Sequence, residues 1–409
     1  MSPNEVHAAV VLGPHSKHLP RSASTRLERW ALARIRKSVF PAPVRFVLWD
    51  GFELGPDVGR AVATVVFRRR SALAGWVWDP ELNFGEDFMS GAVEIEGDLL
   101  GLLEAVYRAL GPVTRSSWSL WRRANDLAAA RSNVHRHYDL GSAFYRLWLD
   151  REMVYTCAYF QAPDTSLDEA QAAKMDLVCR KLRIRPGEHV IEAGCGWGAL
   201  ALFMAKRYGV TVRAFNISSE QIAYARDRAR QNGLSGRVEF VEDDYRNVSG
   251  RCDAFVSIGM LEHVGAQEYT TFGRIIDRAL LNGGRALLHF IGRNQPSPLN
   301  PWICKRIFPG AYAPTLREVF ERVLEPHAFS VLDVENLRLH YAKTLEHWRG
   351  RFAAAADEVK GMFGDAFVRA WTLYLAGSQA AFTTGAMQLF QVVIARGASN
   401  AIPWTRVSG

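Results

Sequence analysis

Cysteine is scarce. The 409 residues hold five, Cys157, Cys179, Cys195, Cys252 and Cys304, with no C-x-x-C pair and no zinc spacing. So small and scattered a set argues against a disulfide framework and against a structural metal, and it fits a reducing cytoplasm. Also missing is any apolar run near the roughly 18 residues of a spanning helix. The apolar patch Ala8–Leu12 is too short for a signal-peptide core, and no small-residue cleavage pattern follows it. Secretion is therefore not expected. The chain has no internal repeat and no low-complexity tract.

What is present is an ordinary globular mixture, 48% hydrophobic and 22% charged, which excludes wholesale disorder. The length predicts two domains. The formal net charge of +8 invites a polyanionic partner, nucleic acid or an anionic membrane surface. Its positive residues cluster. Lys17, Arg21, Arg26, Arg29, Arg34, Arg36 and Lys37 surround Leu27, Trp30, Leu32, Ala33 and Ile35, and Arg68–Arg70 form a second knot. Arg115, Arg122, Arg123 and Arg131 accompany Trp118 and Trp121. Basic, Trp-bearing helical stretches suit the boundary between headgroups and acyl chains, although a solvated helix face looks the same in sequence.

Up to Leu110 the pattern is mixed α+β: a helix over Ser24–Ser38, strands over Val44–Trp49 and Arg60–Arg69, and helical spacing over Gly97–Leu110. Gly111 and Pro112 break that helix. We expect a smaller N-terminal α+β domain over residues 1–112, a connection over 113–130 and a catalytic domain over 131–409. In the second part, strands alternate with helices, as in a parallel doubly wound sheet. Val190–Ala193, Thr211–Phe215, Val238–Val241, Ala254–Ile258 and Arg285–Phe290 are the predicted strands. Leu200–Tyr208, Ser219–Asn232 and Tyr269–Leu280 are the crossover helices. Ligands of such sheets lie at the carboxyl ends of the strands.

The first of these strands runs into Glu192, Gly194, Gly196 and Gly198, followed by Ala199. Taken loosely this satisfies the dinucleotide fingerprint G-x-G-x-x-G/A. A dinucleotide site, however, wants an acidic ribose ligand at the end of the second strand, and here that strand ends in Asn216, Ile217 and Ser218. An acid before the first glycine and a polar turn after the third strand (Asp243, Asp244, Tyr245) point instead to an S-adenosylmethionine site.

The ordered motifs NVHRHYDLG (Asn133–Gly141), YTCAYF (Tyr155–Phe160), LDEAQAAK (Leu167–Lys174), EAGCGWG (Glu192–Gly198), ISSEQ (Ile217–Gln221), DDYR (Asp243–Arg246) and VSIGMLEHVG (Val256–Gly265) narrow this further. LLHFIG (Leu287–Gly292), PWICKRIFPGAYAPT (Pro301–Thr315), HYAKTLEHW (His340–Trp348) and QLFQVVIARG (Gln388–Gly397) follow them. Together they resemble the cyclopropane-fatty-acyl-phospholipid synthases and their relatives, the mycolic acid cyclopropane synthases, from about Ala130 onward. Glu81–Leu99 carries a fainter likeness to that family's smaller lipid-handling domain.

The resemblance implies a class I S-adenosylmethionine-dependent methyltransferase fold, Rossmann-like. On it the donor would touch Gly194 and Gly196, with Tyr155 and Thr156 closing over it. Ile217 and Gln221 would meet the ribose, and Tyr245 and Ile258 the adenine. Asn216 departs from the family's usual Thr, which leaves its contact open. The implied reaction joins a methylene to the cis double bond of an unsaturated phospholipid acyl chain. In it the alkene attacks the sulfonium methyl and leaves a carbocation, and a base then takes a proton from the transferred methyl so that the ring closes. Such chemistry needs an apolar channel, aromatic faces and a positioned base. The resemblance supplies bicarbonate as that base, held by Cys157, Glu262, His289, Tyr341 and the Ile291 backbone. Loss of a different proton would give a methylene- or methyl-branched chain instead.

His263 is read as either a site residue or a structural histidine. Tyr159, Phe160, Trp302, Phe308, Phe382 and Phe390 are channel candidates, and Asn294–Thr315, with Lys305 and Arg306, reads as a mobile lid with a basic edge. A nucleic-acid partner is disfavoured. No Asp/Asn-Pro-Pro-Tyr/Phe loop of amino-group base methylases occurs, and no Pro-Cys nucleophile. The expected location is cytoplasmic, peripheral to the inner face of the membrane, and a homodimer is left open.

Overall fold

The computed structural model describes residues 22–56, 59–111 and 140–397. The basic Trp-bearing stretch around Trp118 and Trp121, and Asn133–Asp139 of the first motif, lie outside the described residues. Two compact units emerge, one of Met1–Val113 and Glu358–Thr384, the other of Thr114–Asp357 and Gly385–Gly409.

The N-terminal unit holds a four-stranded sheet. Its strands β1 (Val44–Val47), β2 (Glu53–Leu54), β3 (Ala63–Phe67) and β4 (Val93–Gly97) lie in the order β2-β1-β3-β4. The helix Arg26–Ser38 opens with a capping box in which Thr25 and Glu28 satisfy each other's backbone N–H groups. One assignment differs from the sequence expectation. Glu358–Thr384, expected in the catalytic domain, belongs to this unit. The helix Leu99–Leu110 (LLGLLEAVYRAL) is apolar on more than one side, so it needs a second partner besides the sheet. The helix Asp365–Thr384 supplies it, packing on Leu99–Leu110 and on Pro80–Ser90. Arg369 fastens the contact, donating to the carbonyls of Phe88 (2.5 Å) and Val93 (3.1 Å) and pairing with Glu94 (3.3 Å).

The second unit is built on seven strands: β5 (His189–Ala193), β6 (Thr211–Asn216), β7 (Val238–Glu242), β8 (Cys252–Ile258), β9 (Leu280–Gly292), β10 (Ser330–Asn336) and β11 (Gln388–Ala395). Their order is β10-β11-β9-β8-β5-β6-β7. Strands β5 to β9 pair in parallel, while β11 runs antiparallel between β9 and β10. The five expected parallel strands and three crossover helices all form, with ends shifted by a few residues. Helices on both faces bury β5, β8 and β11 almost completely, which is why these strands read as continuous apolar runs rather than alternating ones. The chain order reverses at β5, between β6 and β8, so the glycine turn after β5 sits at the switch point where such sheets take ligands.

Candidate active site

Each glycine of the turn after β5 has its own reason. All three have positive φ, +86° at Gly194, +52° at Gly196 and +83° at Gly198. A Cβ on Gly198 would fall 2.6 Å from the Phe240 ring and 2.8 Å from the Ala225 methyl, so this glycine lets the following helix close on the sheet. A Cβ on Gly196 would meet nothing within 4 Å, because that position faces open space. Asn216 answers the question its substitution raised. Its Nδ2 donates to the Gly196 carbonyl (3.2 Å) and to Gln221 Oε1 (2.7 Å), bracing the glycine turn against the helix Ser219–Gln231.

Opposite the turn lies the loop that carries Tyr155 and Thr156. Buried Asp150 accepts the N–H groups of Val154 (2.8 Å) and Glu152 (3.0 Å) and so shapes it. The helix Leu167–Lys181 then holds Thr156 twice: Gln171 Nε2 donates to its carbonyl (2.8 Å), and Lys174 Nζ to its hydroxyl (2.9 Å). An ammonium has only donors, so Thr156 Oγ1 accepts and its own hydrogen is free to point elsewhere. Gln171 and Lys174 were missed by the sequence reading, yet a signal existed. Leu167, Ala170, Gln171, Lys174, Met175 and Val178 form one buried helical stripe, and two polar residues on such a stripe call for an explanation.

One cleft runs between the turn and the loop, and Tyr155, Thr156, Gly194, Gly196, Ile217, Gln221, Tyr245 and Ile258 all line it. Lys174, Glu192 and His263 line it as well. Burial pushes the Glu192 carboxyl up to about 7 against the opposing pull of Lys174, and lowers Lys174 to about 8. His263 is brought down to about 4 by burial alone, so it faces the cleft as a neutral ring. Tyr245 packs edge-on against Phe272 (5.5 Å between ring centres), with the Arg246 guanidinium 4.8 Å over its ring.

Cys157, Glu262, His289, Ile291 and Tyr341 do not line this cleft but form a connected set beside it. Two of them grow from the same segments as cleft residues, Cys157 next to Thr156 and Glu262 two residues after Met260. Glu262 lies in the one-turn helix Leu261–Val264 that follows β8; its Oε1 accepts the Ile291 N–H, while its backbone carbonyl accepts the N–H of Tyr312 (2.8 Å). His289 sits on β9 beside Ile258 of β8. The Cys157 thiol donates to the Ala158 carbonyl (3.1 Å) and approaches that of Leu337 (3.9 Å), which also accepts the Tyr341 N–H (3.1 Å). Leu337 N–H in turn donates to Leu389 (2.8 Å), the strand partner of Ile291. Burial holds the Cys157 thiol protonated, so it is no nucleophile. Two buried polar atoms of this set, Glu262 Oε2 and His289 Nε2, find no hydrogen-bond partner. Burial drives Glu262 up to about 7, with the Ile291 N–H acting the other way, and drives His289 well below its ordinary range, helped by Lys174 and Lys181.

Aromatic rings wall the region. Tyr155 meets Tyr145, Trp148 and Trp348 at 5.5, 5.2 and 5.3 Å, and Trp348 meets Tyr341 edge-on at 5.8 Å. Of the channel candidates, Tyr159 stacks on His340 (4.6 Å) and Phe160 on His347 (5.3 Å). Phe390 packs on Phe290 in the core, and Phe382 lies in the N-terminal unit. Within the expected lid, Trp302 is buried, and the far end is held by Arg293 N–H donating to the Pro314 carbonyl (2.9 Å). Among the described residues no cluster could hold a metal ion.

The family model described as mycolic acid cyclopropane synthetase matches residues 125–392. A domain of unknown function matches residues 31–117. A probable fatty acid methyltransferase from Pseudomonas putida is 35% identical over 89% of this chain and 95% of its own length. The cyclopropane-fatty-acyl-phospholipid synthase of Escherichia coli strain K12 is 40% identical over 65% of this chain and 68% of its own. Among solved structures, the mycolic acid cyclopropane synthase CmaA1 complexed with SAH and CTAB is 30% identical with a TM-score of 0.62, covering 65% of this chain and 98% of that one. The glycine turn at the switch point, the cleft beside it and these matches agree: the chain belongs to the mycolic acid cyclopropane synthetase family, and its second unit is a class I S-adenosylmethionine-dependent methyltransferase.

Proposed function

We propose that this enzyme transfers a one-carbon unit from S-adenosylmethionine to the cis double bond of an unsaturated phospholipid acyl chain and closes a cyclopropane ring. The observation that carries this reading is the pair of partnerless buried atoms, Glu262 Oε2 and His289 Nε2, in a set of five residues next to the donor cleft. Unpaired polar atoms in a core are costly, and their presence side by side with a ligand cleft calls for a ligand. A bicarbonate ion offers both acceptor oxygens and one O–H, so an imidazole, a carboxyl and the Tyr341 hydroxyl fit it. Bound there, it would supply the base for the methyl proton.

The chain's own residues do the rest. Gly194, Gly196, Ile217, Gln221, Tyr245 and Ile258 are the residues that would seat the donor, with Tyr155 and Thr156 over it. The rings of Tyr155, Trp148, Trp348 and Tyr341 form one aromatic wall, with Tyr155 on the cleft, that would keep water from the cation. Glu262 would hold the base through Oε2, because its Oε1 already accepts the Ile291 N–H.

A second product is supported by one specific observation: a relative matched across 95% of its own length is named a probable fatty acid methyltransferase. The same cation would then lose a different proton, directly or after a hydride shift, and leave an unsaturated chain with a methyl or methylene branch. Docking on an anionic membrane is supported by the helix Arg26–Ser38, where Leu27 and Trp30 are exposed and Arg34 lies 5.2 Å over the Trp30 ring. Among the described residues no helix is long and apolar enough to cross a membrane.

Expression in a host lacking such activity, with mass spectrometry of its phospholipid fatty acids, tests the proposal. A gain of one CH2 at the expense of monounsaturated chains, in a product that resists hydrogenation, is the expected result. A product that takes up hydrogen identifies the branched outcome, and unchanged lipids overturn both.

A further inference from the structure

Gln391 lies at the centre of β11, fully buried, directly opposite His289 on β9 and Glu335 on β10. Its Oε1 accepts from Lys181 Nζ at 2.9 Å, and its Nε2 lies 3.0 Å from His289 Nδ1. Lys181 is itself held by Glu335 (2.5 Å) and Asp333 (3.4 Å) on β10. We infer that Gln391 is a positioning residue that keeps the hydrogen of His289 on Nε2, and that Lys181 sets this by fixing which way the Gln391 amide faces.

The logic follows from the donor inventory. An ammonium only donates, so the amide atom facing Lys181 must be the oxygen. The amide nitrogen therefore faces His289, and since it too only donates, Nδ1 must accept and carry no hydrogen. A neutral ring then has its hydrogen on Nε2, the very atom left without a partner in the buried set. Lys181 is paired with Asp333 and Glu335, so turning the amide round would set its NH2 against the lysine donor. Lys174 and Lys181 both oppose imidazolium, and the carboxylates on the far side of the amide, Asp333 and Glu335, are paired with Lys181. His289 is in consequence a hydrogen-bond donor toward the reacting region and not the base that removes the methyl proton.

A purely structural role explains less. The backbone ladder of β9 and β11 already fixes the register at this point. Burying an amide with three part-buried charges adds desolvation that an apolar side chain would avoid. Orienting partners of this kind typically change function by 10–100-fold when removed from metal-bound histidines, and the same geometric argument applies to a histidine that holds an anion.

The inference rests on the proposed role of His289, and the test separates the two. The full chain with 15N-labelled histidine is compared by NMR with Gln391→Glu, Gln391→Met and Lys181→Met, and His289→Asn serves only to assign the signal. SAH binding checks that each variant is folded. The expected result is an unprotonated Nδ1 and a protonated Nε2 for His289 in the native chain. In Gln391→Glu the carboxylate accepts from the ring, so Nδ1 becomes protonated and kcat falls by about 100-fold, with KM for the donor within about twofold. Lys181→Met, with its milder burial, frees the amide and produces a mixture of tautomers. A native His289 with hydrogen on Nδ1, or a signal that Gln391→Glu leaves in place, overturns the inference. Unchanged kcat in both Gln391 variants overturns it as well. If His289→Asn turns over normally, the functional reading of His289 fails instead, whatever the tautomer.

Discussion

The carboxyl of Glu262 and the backbone N–H of Ile291 are hydrogen-bonded across the carboxyl ends of two neighbouring parallel strands. One oxygen is thereby committed to the frame and the other, Oε2, is left buried and unpartnered. That division makes Glu262 the most informative residue to change.

Glu262→Gln should keep the bond to Ile291 and lose the charge. Turnover is expected to fall by at least about 100-fold while SAH binds as before, measured by calorimetry. Loss of SAH binding would remove Glu262 from the catalytic set.

The same carboxyl sets a pH dependence. Its value is raised from 4.5 to about 7 by burial. A folded value above the unfolded one contributes stability that is fully present below about 4.5 and is lost as pH rises through about 7. Glu262→Gln should therefore gain stability relative to the native chain between pH 5 and about 8, read as a widening difference in Tm. An equal Tm difference at both ends would contradict the buried, partly protonated carboxyl.

Lys174 reverses the sign. Its value is lowered from 10.5 to about 8, so its contribution is present above about 10.5 and lost as pH falls through about 8. At neutral pH the fold carries a buried ammonium at a cost. Lys174→Met should leave Tm at pH 7 unchanged or higher, while SAH affinity drops by about tenfold because Thr156 loses its anchor. A lower Tm with intact affinity would make Lys174 a purely structural residue.

Two glycines should separate folding from binding. Gly198→Ala drives a methyl into Phe240 and Ala225 and should lower Tm by several degrees. Gly196→Ala meets no neighbour and carries only the strain of its positive φ, so SAH affinity falls with a smaller change in Tm than for Gly198→Ala. The reverse pattern would show that the cleft does not take the donor at Gly196.

A fragment of residues 22–111 lacks the helix Asp365–Thr384 and the Arg369 bonds that close its unit. It should give an unfolded or molten circular dichroism and NMR signature, and joining residues 358–384 to it by a flexible linker should restore dispersion. A well-folded short fragment would show that the helix is dispensable.

The parallel part of the fold was legible because buried parallel strands and amphipathic crossovers leave strong local patterns. Val190–Ala193 and Ala254–Ile258 are apolar runs bounded by turns, and residues that line the cleft stand just past the end of each. The strand β10 and the helix Asp365–Thr384 were not legible. SVLDVEN is only half-buried and carries Asp333 and Glu335 toward Lys181, so its polarity hides its pairing. The helix Asp365–Thr384 follows catalytic-domain motifs in sequence, and only the unpartnered face of Leu99–Leu110 reveals where it goes. The cleft residues Gly194, Gly196, Ile217 and Tyr245 stand just after strand ends, whereas Lys174 and Gln391 sit inside a helix and a strand. There a polar residue looks like noise until its partner is known.

The strand β11 lies inside the sheet, yet it follows every other strand in the chain. Until residues 388–395 leave the ribosome, β9 is an open edge and His289 lacks Gln391, its neighbour on that side. The N-terminal unit waits too, for a helix that ends at Thr384. Neither unit can therefore close before its last element has been made, and until then the growing chain carries two unfinished apolar surfaces. In such a chain the two units receive their closing elements almost together, although their first strands lie far apart in the sequence.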